Sequence, residues 1–341
     1  MRLALTLAAL SCLAVSASAQ SGPYKILQTV KVGGEGGWDY VAADSTDRRL
    51  FIARSGPAGS IHAYDLDSLK EVGVIPGISA HGVAVDVATH HGFATSKGVA
   101  MFDLKTLAVL KPSLNVQGNP DGYLDDPATS RVYILSHSAP NVTVLDAKDG
   151  AILGTIDLGG APEQAQLDGK GHLFIDLEDK DAIAVVDTKT MKMTGKYDIS
   201  SKGGGCAGLA IDAKNFVLFA ACRDKKNMII LSATDGKILD ALPIGTGSDG
   251  AVFNPKTSEV FSSQGDGTLT IIKESSPTSF SVEQTVTTPV RAKTLTLDTK
   301  TDHIITATGE FGPAPEPATP GARPARPPML PGTFSIIVVG K

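Results

Sequence analysis

Along nearly the whole chain, apolar runs of four to seven residues alternate with short clusters of Asp, Gly, Asn and Thr. Trp38-Asp39-Tyr40-Val41-Ala42-Ala43-Asp44 is followed, after a turn, by Leu50-Phe51-Ile52-Ala53, and the same two-strand phrase returns six more times. In each copy the first run closes on one residue: Asp44, Asp86, Asp126, Asp168, Asp212, Asn254 and Asp298, at steps of 42, 40, 42, 44, 42 and 44. Short β-branched runs bounded by turn residues predict strands rather than helices. A third run follows in every copy, such as Ile61-His62-Ala63-Tyr64 or Val142-Thr143-Val144-Leu145. Four of these third runs end in an aspartate able to cap the next turn with its own side chain, at Asp65, Asp103, Asp146 and Asp187. A more polar fourth run, as in Ala151 to Ile156, completes the unit.

Four short strands recurring every forty-odd residues describe a β-propeller blade. Paired β-sandwiches would not repeat sevenfold at this step. The seventh copy lacks a fourth strand after Val339, but Tyr24 to Val30 precedes the first copy and can supply it, which removes an open sheet edge. The expected fold is therefore all-β. It is a seven-bladed β-propeller with four antiparallel strands per blade, closed by the N-terminal strand joining the last blade, over residues 20–341. Residues 312–331 interrupt blade seven with eight of the chain's 20 prolines. Proline cannot donate to a strand ladder, so an extended arm or lid is expected there, one dispensable to the blade itself.

The stretch from Asp146 to Ile175 carries Asp149-Gly150, Gly160, Pro162, Asp168-Gly169 and Leu173-Phe174-Ile175. With it, the repeats over residues 24–340 resemble the YncE-like family of exported β-propellers built from YVTN repeats, WD40-like in architecture. The resemblance implies a binding or scaffold protein more than an enzyme, although some homologous propellers carry quinone, heme or lactone chemistry. Its motif specifies blades and carries no reaction with it. The WD dipeptide and the kelch signature are missing from their expected places.

The opening residues stand apart from the repeats. Arg2, the apolar run Leu3 to Val15 and Ala17-Ser18-Ala19 form a secretory leader over residues 1–19, cut before Gln20. A lipoprotein signal at Cys12 fits less well, since Ala9-Leu10-Ser11 is a poor lipobox. No other apolar run approaches the roughly 18 residues of a membrane helix. The expectation is a periplasmic or secreted monomer without a transmembrane segment. The whole chain holds 31 basic and 36 acidic side chains, net −5; removing Arg2 with the leader makes it −6. That balance argues against nucleic acid as a partner.

Chemistry in a propeller sits at the mouth of the central channel, where first strands begin. Five residues before each closing residue stand Asp39, His81, Asp121, Glu163, Ala207, Asp249 and Lys293. Six of the seven are ionisable, on strands that ordinarily disfavour Asp. The simpler reading is a solvated polar funnel. The sharper one is a ligand site at Asp39, His81, Asp121, Glu163, Asp249 and Lys293. Within it, Asp39, His81, Asp121 and Glu163, from consecutive blades, form a candidate site for a divalent cation (Ca²⁺, Mg²⁺ or Mn²⁺). His137, in a loop on the same face, stays a candidate, whereas His90, His91, His172 and His303 fall in turns on the opposite face.

No nucleophile elbow, phosphate loop or Cys-x-x-Cys is present. The functional expectation is a non-catalytic protein whose funnel and loops bind a protein, peptide, glycan or small ligand. The alternative is a metal-assisted hydrolase or lactonase-type enzyme centred on the acidic rim. Cys206 and Cys222 flank a hairpin whose midpoint falls at residue 214, so they should face each other and join as a disulfide in an oxidising compartment.

Overall fold

The computed structural model describes residues 22–315 and 326–341. The leader and the middle of the proline-rich arm lie outside the described residues. Seven antiparallel four-stranded sheets follow one another round the ring, six of them in sequential order and the seventh completed by the N-terminal strand. The first strands, from Gly37–Asp44 in blade one to Thr296–Asp298 in blade seven, line the central channel. Second and third strands are buried on both faces, because each blade is packed between two others. Leu50, Phe51, Ile52 and Ala53 are all fully buried, which explains apolar runs without alternation. One apolar cluster joins Tyr133, Leu135 and Val144 of blade three to Leu173, Ile175 and Val186 of blade four, and comparable clusters fill the other gaps. Fourth strands form the rim and are half exposed, as along Ile152–Asp157.

The recurring aspartates have one job at the far end of the ring, here called the bottom. Asp44 Oδ1 accepts the backbone N–H groups of Thr46 and Asp47, and Asp212 Oδ1 does the same for Lys214 and Asn215. Four residues after the closing residue the chain turns through the left-handed region, at Arg48, His90, Ser130, Phe216, Ser258 and Asp302. Arg48 also reaches across the junction of blades one and seven, its guanidinium 2.7 Å from Asp298.

The ring closes as expected. Lys25–Lys31 pairs antiparallel with Ser335–Gly340 as the outer strand of blade seven. Tyr24 locks this seam to blade six: its backbone N–H donates to Gln284 (2.9 Å), its hydroxyl to Glu259, and Lys341 holds the same carboxylate at 3.0 Å. At the start of blade five Cys206 and Cys222 are disulfide-bonded partners across the first strand pair.

The proline-rich arm departs from the expectation of a detachable loop. Its two ends pair with each other at Phe311 and Met329. The N–H of Gly312 donates to Pro328 O (2.9 Å) and that of Leu330 to Glu310 O (2.7 Å). Proline loses its donor but keeps its carbonyl, so a proline-rich segment can still be half of a ladder. Met329 then packs with Trp38 against the buried Phe334 of blade seven.

Candidate functional site

The starts of the first strands meet the ends of the second strands at the top face. Asp39, Asp121, Glu163 and Asp249 lie in or at the start of first strands, and His81 and Lys293 lie in the segments just before them. The six do not form one ring of equal neighbours; they divide into two groups.

In the first, His81 Nδ1 stands 3.2 Å from carboxylate oxygens of both Asp39 and Asp121. One N–H serves one acceptor at a time. It donates to Asp39, and Asp121 Oδ1 is buried without a hydrogen-bond donor among the described residues. The hydrogen bond to Asp39 raises the His81 pKa above its ordinary value, with both carboxylates adding to it, while burial pushes the Asp121 carboxyl up.

In the second group Glu163 faces His137 Nε2 at 3.9 Å, and the same nitrogen is 3.5 Å from Glu178. Burial, then the Glu178 carboxyl, pushes Glu163 up to about 10. Arg223 bridges Glu178 and Asp249, and Lys293 pairs with Asp249 from the other side. Behind them Asp176 is fully buried; burial raises it to about 8, and its Oδ2 has no hydrogen-bond donor among the described residues.

Glu178, Arg223 and Asp176 are absent from the first-strand register. Two of them belong to another: His137, Glu178 and Arg223 each follow directly on a second strand, those ending at Ser136, Leu177 and Cys222. In blades three, four and five the residue after the second strand thus reaches the same mouth, whereas the other four blades have Gly56, Ser96, Gly265 and Gly309 there.

From Glu163 at the mouth, a cavity of about 290 Å³ runs between the first strands. Tyr40 and Tyr123 meet edge to face in it, with ring centroids 5.6 Å apart. Gln164 braces it by accepting the N–H groups of Leu209 (3.0 Å) and Ala251 (3.2 Å), which ties blades four, five and six together.

Among the described residues, two sets of side chains bring potential ligand atoms within 4.8 Å of one another: Asp39, His81 and Asp121, and His137, Glu163 and Glu178. Glu163 is thus drawn away from the other three residues of the candidate cation set. The first set offers the oxygen-rich donors that a hard cation prefers. In the second, the Arg223 guanidinium already occupies Glu178.

No family model matches this chain, and no curated protein matches its sequence. Solved structures do share its shape. A chain of "Crystal Structure of Mitotic Checkpoint Complex" superposes with a TM-score of 0.71 at 11% identity, covering 90% of this chain and 95% of that one. "Structure of U3-55K" and "Crystal structure of RRP9 WD40 repeats" each give 0.72 at 11% identity, covering 94% of this chain and 99% of theirs. The molecule is a seven-bladed propeller of the WD40 shape. At that identity the likeness is one of fold. Among the described residues no helix is long and apolar enough to cross a membrane.

Proposed function

We propose that this is an exported YncE-like propeller, periplasmic or secreted, that binds a partner across its top face without chemically changing it. The observation that carries the reading is the contrast of charge satisfaction at the mouth. Its cations are tied to Glu178 and Asp249, while Asp39 and His81, with side chains 32% and 40% exposed, pair with each other at 3.2 Å and still face solvent. Rigid side chains mixing carboxyls, imidazoles and a guanidinium, set in a concavity, form a recognition surface of the kind that fixes a ligand's orientation. The partner is a protein, peptide, glycan or small ligand. Net charge −6 after leader removal and an acidic mouth disfavour nucleic acid.

The test is site-directed photo-crosslinking in the producing cell. A photoreactive residue at Glu35 or Lys180, both exposed on the top face, should give discrete adducts, and one at Thr46 or Lys214 on the bottom should not. Adducts of equal yield from both faces, or none from the top, would overturn the reading.

A second reading has its own observation. The Asp39, His81 and Asp121 donors are close enough to share one cation, which would suit a metal-assisted hydrolase. Elemental analysis of protein purified without chelator decides it. A stoichiometric divalent metal lost in Asp121→Asn supports that reading, and metal-free protein ends it.

A further inference from the structure

Beside the funnel, between the mouth and the base of the proline-rich arm, lies a cleft of about 510 Å³. That volume falls in the range of small-molecule sites, roughly 300–1,000 Å³. Its apolar wall is Trp38, Phe311 and Met329, with the Trp38 and Phe311 ring centroids 6.2 Å apart. Three cations line it, Arg291, Lys293 and Arg326, against a single carboxylate, Glu35. In a chain with net charge −5 this is a local reversal of sign.

The wall is held from behind. Trp38 Nε1–H donates to Lys293 O (3.1 Å), and its ring packs on Phe334 at 5.1 Å between centroids. The other support is Arg54, only 1% exposed, whose guanidinium lies 3.7 Å from the Phe334 ring centroid and donates to Gly36 O (2.9 Å) and Gly33 O (3.3 Å). This buried arginine has no carboxylate partner among the described residues, and burial lowers its pKa to about 10. It spends its donors on the loop that carries Glu35 and leads into Trp38. The floor of the cleft is therefore preorganised, which lowers the ordering cost of binding.

The charges differ in availability. Lys293 is committed to Asp249 of the mouth. Arg291 stacks on Phe311, 4.3 Å from the ring centroid, and makes no ion pair among the described residues. A guanidinium stacked on a ring keeps its in-plane N–H fork available for a carboxylate.

We propose that this cleft binds a small organic anion with a flat apolar body, an aromatic carboxylate, its charge met by Arg291 and Arg326 and its ring by Trp38, Phe311 and Met329. The proposal rests on the top-face binding reading and names the ligand class for one part of that face. A peptide would need an open groove, whereas this cleft is bounded on one side by the paired ends of the arm.

Calorimetric titration of the full chain with 2-naphthoate, 2-naphthylmethanol and inorganic phosphate tests it. Trp38 is the only tryptophan, so its fluorescence gives an independent readout at the site itself. We expect saturable one-to-one binding of naphthoate, at least tenfold weaker binding of the neutral alcohol, and no saturable binding of phosphate. Arg326→Gln and Arg291→Gln should each weaken naphthoate about tenfold, leave the alcohol unchanged and keep the melting temperature. Lys105→Gln on the bottom should change nothing. Absence of naphthoate binding, equal affinity for acid and alcohol, saturable phosphate binding, or indifference to both arginine substitutions would overturn the proposal. If top-face crosslinks persist while naphthoate fails, the ligand class is wrong and the binding face stands; loss of both removes the wider reading as well.

Discussion

The two ends of the first strands carry the same side chain into opposite circumstances. At the bottom, burial pushes the Asp168 carboxyl up, yet the backbone N–H groups of His172 and Lys170 hold it below the ordinary range. Asp298 is likewise buried and likewise held low, by Arg48 and Thr301. At the top, burial wins: Asp121 is raised, and Glu163 is raised to about 10. Depth does not separate the two groups, since Asp298 is 2% exposed and more buried than Asp121. What separates these four is the supply of donors; Asp125, at the bottom end of its strand, is raised to about 8 by burial and then by the neighbouring Asp86 carboxyl, as the top carboxyls are. A turn brings backbone amides to its aspartate as a consequence of folding, whereas the channel mouth brings carboxyls to one another.

Breaking the bottom should therefore cost far more than editing the top. Arg48→Ala removes the cation beside buried Asp298, leaving it the Thr301 hydroxyl and the Lys300 N–H, and should destabilise by about 3–5 kcal/mol in urea unfolding, the usual consequence of removing one partner of a buried pair. His81→Ala at the top should change the same measurement by less than about 1 kcal/mol, since exposed or half-exposed pairs contribute little. Equal losses would erase the distinction.

The disulfide comes next. It closes a loop of sequence separation 16, so Cys206→Ser with Cys222→Ser should lower stability by about 3 kcal/mol or less, read from melts with and without reductant. Reductant should have no effect on the double variant.

Asp176 sharpens the comparison through pH. Its folded pKa of about 8 lies above the ordinary value, so its protonated form is favoured by folding. That contribution is fully present below about pH 4 and is lost as pH rises through 8. The depressed bottom aspartates act in reverse, contributing above their ordinary pKa and losing that contribution in acid. Maximum stability should thus fall at mildly acidic pH. Asp176→Asn should flatten the alkaline limb and raise stability at pH 8 by about 1–3 kcal/mol. A loss of stability at pH 8 would show that the Asp176 anion is compensated at the mouth.

The smallest effect belongs to Asp121→Asn. It removes one of the carboxylates that raise His81, so the imidazole midpoint followed by NMR should move down, with stability changed by less than about 1 kcal/mol. An unmoved midpoint would mean that Asp39 alone sets it.

The fold was legible because its signal is repeated. One closing residue, Asp or Asn, recurs at seven positions from Asp44 to Asn254 and Asp298, and that periodicity specified both the blade count and the closing strand. The mouth was legible only in its first-strand half. The register pointed to Asp39, His81, Asp121, Glu163, Asp249 and Lys293, but how they pair depends on side-chain reach. That is why Glu163 groups with His137 and Glu178 rather than with His81. Arg223 follows directly on a second strand, and Asp176 occupies a place where blade three has Leu135 and blade five has Ala221, so neither carries the first-strand signal. The cleft could not be read at all. It is assembled from the loop before Trp38, the segment before Lys293 and the two ends of the arm, which only the closed ring brings together.

That closure has a kinetic side. Lys25 and Gly340 are paired neighbours though 315 positions separate them (340 less 25). Loop entropy grows only logarithmically, about 0.6 kcal/mol per doubling of length, so joining such distant strands is thermodynamically modest. It is slow all the same, because the last pairing must wait for the blades between to form. The amides of Lys25–Lys31 should accordingly gain protection from hydrogen exchange last on refolding, after blades whose pairings are local, with the Tyr24 and Lys341 contacts to Glu259 setting behind them. The seam governs the tempo of the molecule more than its balance.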